Sequence, residues 1–412
     1  MLRSMFSAIS GLRAHQTKMD VTGNNIANVN TVGFKGSQTV FQDTLSQVIR
    51  AGGAPAADRG GSNPAQVGLG VKVAGVSTNW TQGATQSTGR STDFMIEGDG
   101  FFVTRAGTEQ LYTRAGSFDF DGSGKLVTPS GSILQGWMAD ANGVVNKNGP
   151  VTDLSVPYGQ LVNPKASTSG SVEGNLPSDA VVGTVLQTNT KMYDAQGVEQ
   201  DVSYTFTKMG ANDWDMDVVA NGITLVNNAT VSFDASGVLT APTAPTSLAP
   251  FNPATINAGA FPSWPGPVTI DLSGISQFGG SSDVTAPQQD GYALGSLQSF
   301  QLGNDGTIMG VYSNGLRQPL GQLAVASFNN PSGLEKAGGS SFRVGDNSGV
   351  AMVGLAGAGG RGVLNSGALE MSNVDLAEEF TGLIVAQRGF QANSRVITSS
   401  DEILQDLVNL KR

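Results

Sequence analysis

Cysteine is absent from the 412 residues, so disulfides and thiolate metal sites are excluded, and stability has to come from packing or assembly. Histidine occurs once, at His15. A Ser-His-Asp triad or a histidine metal cluster would have to grow around that residue, in the least pocket-like part of the chain, and neither is expected. Charged residues make up only 14% of the sequence, and no run of about 18 apolar residues suggests a membrane-crossing helix. The opening MLRSMFSAISGLRAHQ has an early Arg3, but Ser4, Ser7, Ser10, Arg13 and His15 interrupt any signal-peptide core. Positive charge is scarce: a net charge of −10 and a pI of about 4.6 oppose the counter-ion release that drives nucleic-acid binding. From Met209 to Leu316 there is no Lys or Arg at all, which marks the middle of the chain as a separate unit.

What is present points to β structure. The chain has 56 glycines, with apolar residues scattered throughout, a composition of many turns rather than of disorder. The segment FMIEGDGFFV (94–103) reads as two short strands joined by a hairpin turn at Gly98-Asp99-Gly100. Val202/Tyr204/Phe206 and Trp214/Met216/Val218 alternate as half-buried antiparallel strands. Residues 241–267 carry seven prolines and are expected to be neither helix nor central strand, but a loop over a surface.

Only the two ends carry helical patterns. At the start, Leu2, Met5, Ile9, Leu12 and Met19 follow a 3–4 alternation that continues through Gly23 and Ile26. At the end, Leu376, Leu383, Phe390, Ile397 and Leu404 recur every seven residues, with Phe380 at +4 and Ala386 and Leu407 at +3. Asn373 is a candidate N-cap, and Glu378 and Glu379 fall in the first turn, where the helix dipole favours acids. Each helix could cover its own domain. Yet they sit at opposite chain ends, flanking β-like sequence, so packing against each other is the economical solution.

Several apparent motifs carry no chemistry. Asp119-x-Asp121-x-Ser123-Gly124 imitates a calcium loop, but Ser130 stands where a bidentate Glu is required, which favours a tight turn. Residues 357–362 match GxGxxG by letter in a stretch that is glycine-rich throughout, with no helix start following directly. Asp213, Asp215 and Asp217 could pair as glycosidase carboxylates, but their alternation with apolar residues reads as a solvated strand face. In TGNNIANVNTVGFKG (22–36), Asn24, Asn25, Asn28 and Asn30 crowd together ahead of Gly33. Asparagine amides bond backbone groups beyond a helix end, so these residues are expected to form the hinge where the first helix stops.

Taken together, SAISGLRAHQTKMDVTGNNIANVNTVGFKG (7–36), IEGDGFFV (96–103) and the segment 369–412 resemble the bacterial flagellar rod, hook and hook-associated family. With NPAQVGLGVKVAGV (63–76) and LGQLAVASFNNPSGLEKAGG (320–339), the resemblance covers well over half the chain. SNVDLAEEFT, AQRGFQANSRVI and the large insertion resemble the hook branch; rod-type members, which are shorter, are the alternative, and a secreted β-rich hydrolase or adhesin is the alternative from another class.

The resemblance implies a mainly β fold, with two β-rich domains nested within terminal helices that pair as a coiled-coil-like inner layer. The expected parts are 1–30 with 372–412 as helical assembly domain, 31–71 with 359–371 as connector, 72–145 with 285–358 as inner β domain and 146–284 as outer inserted β domain. It also implies a non-enzymatic subunit without cofactor, nucleic acid or small-molecule substrate, which assembles with itself into a curved tube. That tube couples rod to filament and transmits torque as a universal joint. Rod and hook–filament junction proteins are the implied partners, joined during assembly by the hook cap and the type III export apparatus. The implied location is the extracellular flagellum, reached without a cleaved signal peptide. Some members cross-link their subunits through a cysteine, a chemistry this chain lacks. The expected assembly interface is Leu2, Met5, Ile9, Leu12, Met19, Leu376, Phe380, Leu383, Phe390, Ile397, Leu404 and Leu407.

Overall fold

The computed structural model describes residues 2–55, 60–140, 143–156, 159–242, 247–257, 259–261 and 263–409. It is mostly β, with one long helix at each end, and it divides into two compact units. Unit 1 comprises residues 1–156, 300–309 and 319–412; unit 2 comprises 157–299 and 310–318.

In unit 1 the N-terminal helix Leu2–Ala27 packs on the C-terminal helix Leu376–Asn409 and on the antiparallel strand pair Ser37–Asp43 and Val71–Thr78. Beyond that pair, strands Ser46–Arg50 and Ala65–Gly68 form a second antiparallel ribbon. The main sheet is built around Phe101–Ala106, which pairs with Glu109–Thr113, Ile133–Met138 and Val325–Ser327. One face of that sheet is an aromatic core: Trp80 meets Phe101 at 5.2 Å and Phe342 at 5.0 Å, and Tyr112 meets Phe328 at 4.9 Å, all edge-on.

The expected hairpin at 94–103 is not one. Gly98 and Gly100 do take positive φ, at 103° and 137°, but Phe94–Glu97 pairs with Val363–Ser366, far along the chain. The turn there redirects the chain between two sheets. A local pattern of apolar, turn and apolar residues specifies the bend; it does not specify which strand becomes the neighbour.

In unit 2 five antiparallel strands follow in chain order, Val185–Tyr193, Glu199–Lys208, Asp213–Ala220, Ile223–Phe233 and Leu239–Ala241. Tyr204, Phe206, Trp214, Met216 and Val218 point inward and are fully buried, while Asp213, Asp215 and Asp217 alternate with them on the other face. Their hydrogen bonds are local: Ser232 donates to Asp213 and the Asn228 amide to Asp217, each at 2.7 Å. A three-stranded sheet of Ser169–Asn175, parallel to Thr269–Ser276 and antiparallel to Thr285–Gln289, adds Ile270 and Leu272 to the same core.

The proline-rich segment does more than lie over this core. Leu248, Phe251, Phe261 and Trp264 are buried in it, and Pro253–Ile256 form one helical turn. Pro253 opens that turn, where its missing N–H is no loss, and Asn252 caps it. Elsewhere, Asp121 accepts from the Ser123 and Lys125 amides in a tight turn, and these bonds hold its carboxyl below the usual range. Residues 357–362 are a turn leading into a strand.

Candidate assembly interface

The helices run antiparallel, as three cross-helix contacts show. Asn25 Nδ2 donates to Glu379 Oε1 at 2.6 Å, His15 Nε2 lies against Gly389, and Asn393 lies against Gly11. The seam closes through small residues on the face of Gly11 and Gly389, with Ala8 and Ala386 buried at 4% and 0% exposure, while Ala14 lies on the side of the strand pair, beside Val71 and Val73. On the C-terminal helix Leu383, Phe390, Ile397 and Leu404 are half-buried, with Ala386, Asn393 and Ser400 between them. Large and small side chains thus alternate along one stripe. Leu376 and Phe380 are exposed at 39% and 49%. On the N-terminal helix Met5, Ile9, Leu12 and Met19 are half-buried; the side chains of Leu2 and Leu407 lie outside the described residues. Gly11, His15 and Asn393 were not candidates from sequence. Their signal is the 3–4 spacing of the small and polar residues Ala8, Gly11, His15, Lys18, Thr22 and Asn25, one position around the helix from the apolar series.

Asn373 does not cap the C-terminal helix. Asp375 does, accepting from the Ala377 amide at 2.8 Å. Asn373 instead accepts from the Gly36 amide at 2.9 Å and donates to the carbonyls of Asn79 and Thr81, tying the returning chain to the outgoing one.

The asparagine cluster divides by role. The first helix continues past Gly23 to Ala27, so Asn24 and Asn25 lie in its last turn. Asn25, 1% exposed, accepts from the Ser37 amide and donates to the Ser37 carbonyl as well as to Glu379. Asn28 donates back to the Asn24 carbonyl at 2.9 Å and accepts from Thr31 Oγ1 at 3.0 Å, closing the helix end. Asn30 is exposed. Gly33 has φ +66°, and a Cβ there would overlap the backbone of Arg114 and Ala115. Replacing Asn25 by alanine is therefore expected to lower the melting temperature of the helix-bearing unit by several degrees, because buried backbone groups of Ser37 lose their partners, at about 1–3 kcal/mol. Asn30→Ala should leave thermal unfolding unchanged; equal effects of the two variants would contradict this division.

Just inside the helices lies an ion cluster that composition does not reveal. Lys35 Nζ and Glu370 Oε1 are 2.6 Å apart with both side chains fully buried. Arg114 Nη1 approaches Glu370 Oε2 at 3.4 Å. Lys35 also donates to the Thr81 carbonyl at 2.7 Å, Arg114 to the Gly98 carbonyl at 2.8 Å, and Glu370 accepts from the Gly83 amide at 2.9 Å. Burial lowers the proton affinity of Lys35 and Arg114 below their ordinary values, and the hydrogen bond and charge of Glu370 act against it. The cluster fastens the outgoing segment, the returning segment and the main body at one point.

Four family models match in chain order: "Flagella basal body rod protein" over residues 5–35, "Flagellar hook protein FlgE/F/G D1 domain" over 95–174, "Flagellar basal body protein FlaE D2 domain" over 173–292 and "Flagellar basal body rod FlgEFG protein C-terminal" over 365–410. The chain is 41% identical over 443 residues to the flagellar hook protein FlgE of Borreliella burgdorferi and 38% identical over 463 residues to that of Treponema pallidum, in both cases across 100% of each chain. The crystal structure of the Helicobacter pylori flagellar hook protein FlgE2 shares the fold at a TM-score of 0.51 and 13% identity, covering 68% of this chain and 99% of that one.

Proposed function

The chain belongs to the flagellar hook protein family and is a structural subunit of the hook, and from this premise we propose that its terminal helix pair is the surface on which copies assemble. One observation carries the reading: the helix pair is apolar on the side its own chain leaves open. Phe6, Phe380, Ile384, Val385, Val396 and Ile403 are 66%, 49%, 56%, 56%, 42% and 51% exposed. On the C-terminal helix Val385, Ala392, Val396 and Ile403 fall on one line, away from the stripe that meets the N-terminal helix. Surface of this kind marks an association site.

Such contacts are heterologous and do not close, so copies propagate into a tube. Neither helix buries its apolar residues alone, so pairing within a chain and association between copies reinforce one another. The helices then line the inner wall, the tube is curved, and it transmits torque as a universal joint by letting neighbouring copies shift between alternative packings. The polymer's ends meet rod and junction proteins, and subunits reach it through the type III apparatus beneath a hook cap, without a cleaved signal.

The test is charge placed on the open face. Val396→Asp and Ile403→Asp should abolish tubes seen by negative-stain electron microscopy and by sedimentation, while thermal unfolding of the soluble chain moves by no more than a degree or two, since both sites are exposed before assembly. Wild-type tube yield from both variants would overturn the reading.

A further inference from the structure

His15, the chain's one histidine, sits where three elements meet. A Cβ on Gly389 would lie 2.5 Å from its Nε2, its ring meets Phe41 edge-on at 5.8 Å, and its Nδ1 is buried without a hydrogen-bond partner among the described residues. One turn earlier the fit is inverted. Gly11 of the N-terminal helix faces the Asn393 side chain, where a Cβ would come within 2.6 Å, and that amide is steadied by a 3.0 Å bond to the Gly389 carbonyl. Each helix therefore offers one glycine to receive one polar side chain of the other, four residues apart on both. A slip of one turn in one direction sets His15 against Asn393; in the other it leaves Gly11 opposite Gly389.

We propose that His15 is the register-setting residue of the helix pair and that its ring seats only in the neutral form, so that pairing of the helices releases a proton and weakens in acid. The proposal rests on the assembly reading above and adds to it a pH dependence specific to this chain.

The charges around the ring all favour the neutral form or stand aside. Burial first, and then Lys18 on the same helix, lower the imidazole's proton affinity from its ordinary 6.5. From the packed elements the contact is made by uncharged groups, Phe41 of the strand and Gly389 of the opposite helix. The nearest ionisable residues along those elements are Asp43 on the strand, Lys72 on its partner and Arg388 beside Gly389; on the helix itself Arg13 and Asp20 flank the site. Protonation would also bury an N–H at Nδ1 with no acceptor. A seated ring binds fewer protons than a free one, so its stabilisation is complete above the ordinary value and is lost as pH falls below it.

A single histidine makes the test direct. Full-length chain labelled with ¹⁵N-histidine and assembled into tubes gives one imidazole signal set, which should remain neutral at about pH 6, where a free histidine is mostly protonated. The concentration needed for assembly should rise several-fold between about pH 7.5 and 5.5, by no more than about tenfold per pH unit, the limit for one proton. In His15→Gln, which keeps a polar side chain of similar reach but cannot titrate, that rise should vanish. An imidazole that titrates at its ordinary value inside intact tubes, or parallel pH profiles for wild type and His15→Gln, overturns the proposal and leaves the assembly reading standing. Wild-type chain that forms no tubes even at about pH 7.5 overturns both.

Discussion

Glu370→Gln is expected to lower the stability of unit 1 by about 3–5 kcal/mol, the range for removing one partner from a buried ion pair. The substitution keeps the shape of the side chain and removes only its charge. Lys35, whose side chain is fully buried, and Arg114, at 4% exposure, then lose their ion-pair partner and keep only the charge of Asp99 nearby. For a unit of this size the loss corresponds to roughly 6–20 °C in melting temperature, read by calorimetry on the full chain. Exposed pairs provide the control: Lys191 and Glu199 also approach at 2.6 Å, but at 60% and 50% exposure, and Lys191→Ala should shift melting by a degree or less. A Glu370→Gln transition within two degrees of wild type would mean that the cluster does not hold the outgoing and returning chain together.

Removing either helix should have the largest effect on assembly. Without residues 1–30 or 372–412 the chain loses one member of the helix pair, and tube formation should fall below detection at any protein or salt concentration. The β structure should survive. The Lys35–Glu370 pair lies inside both cut points, and among the described residues the cores around Phe101 and around Trp214 are built from residues outside the helices. Circular dichroism should therefore show a cooperative β transition in each truncated chain. Collapse of that transition would mean that the helices belong to the core rather than to the polymer contact.

The contrast between these variants also explains what could be read from sequence. The seven-residue recurrence from Leu376 to Leu404 and the alternation from Val202 to Val218 were legible because each is a local rhythm imposed by burial on one face. The mainly β class with helical ends followed from the same signals. Less could be read where a position draws its partner from far along the chain. Lys35 and Glu370 are 335 residues apart, and neither stands out in composition. Phe94–Glu97 looked like half of a hairpin because its turn glycines are genuine, yet its ladder partner is Val363–Ser366. Asn373 had the chemistry of a cap two residues too early; Asp375 occupies the cap, and the Asn373 amide bonds the backbone of Gly36, Asn79 and Thr81 instead. The helix seam illustrates the same limit. Leu12 and Met19 carry the apolar signal, whereas Gly11 and His15 are where the second helix touches, because a glycine on one helix admits a polar side chain of the other, a fit that hydropathy overlooks.

For the asparagines the outcome is a division of labour. Asn25 is a buried cross-brace between the first helix, the Ser37 strand and the second helix, and Asn28 finishes the helix. Similar residues in one short stretch thus serve different bonds, which a count of turn-forming residues could not distinguish.

On the proposed function, the paired terminal helices form the connected inner layer of the hook. Electron cryomicroscopy of tubes assembled from the full-length chain tests it most directly. Density is expected for an antiparallel helix pair along the inner wall, in the register that joins Asn25 to Glu379 and seats His15 on Gly389, with Val396 and Ile403 covered by a neighbouring copy. Helices on the outer surface, or an inner wall built from the β units with Val396 and Ile403 still open to solvent, would contradict it.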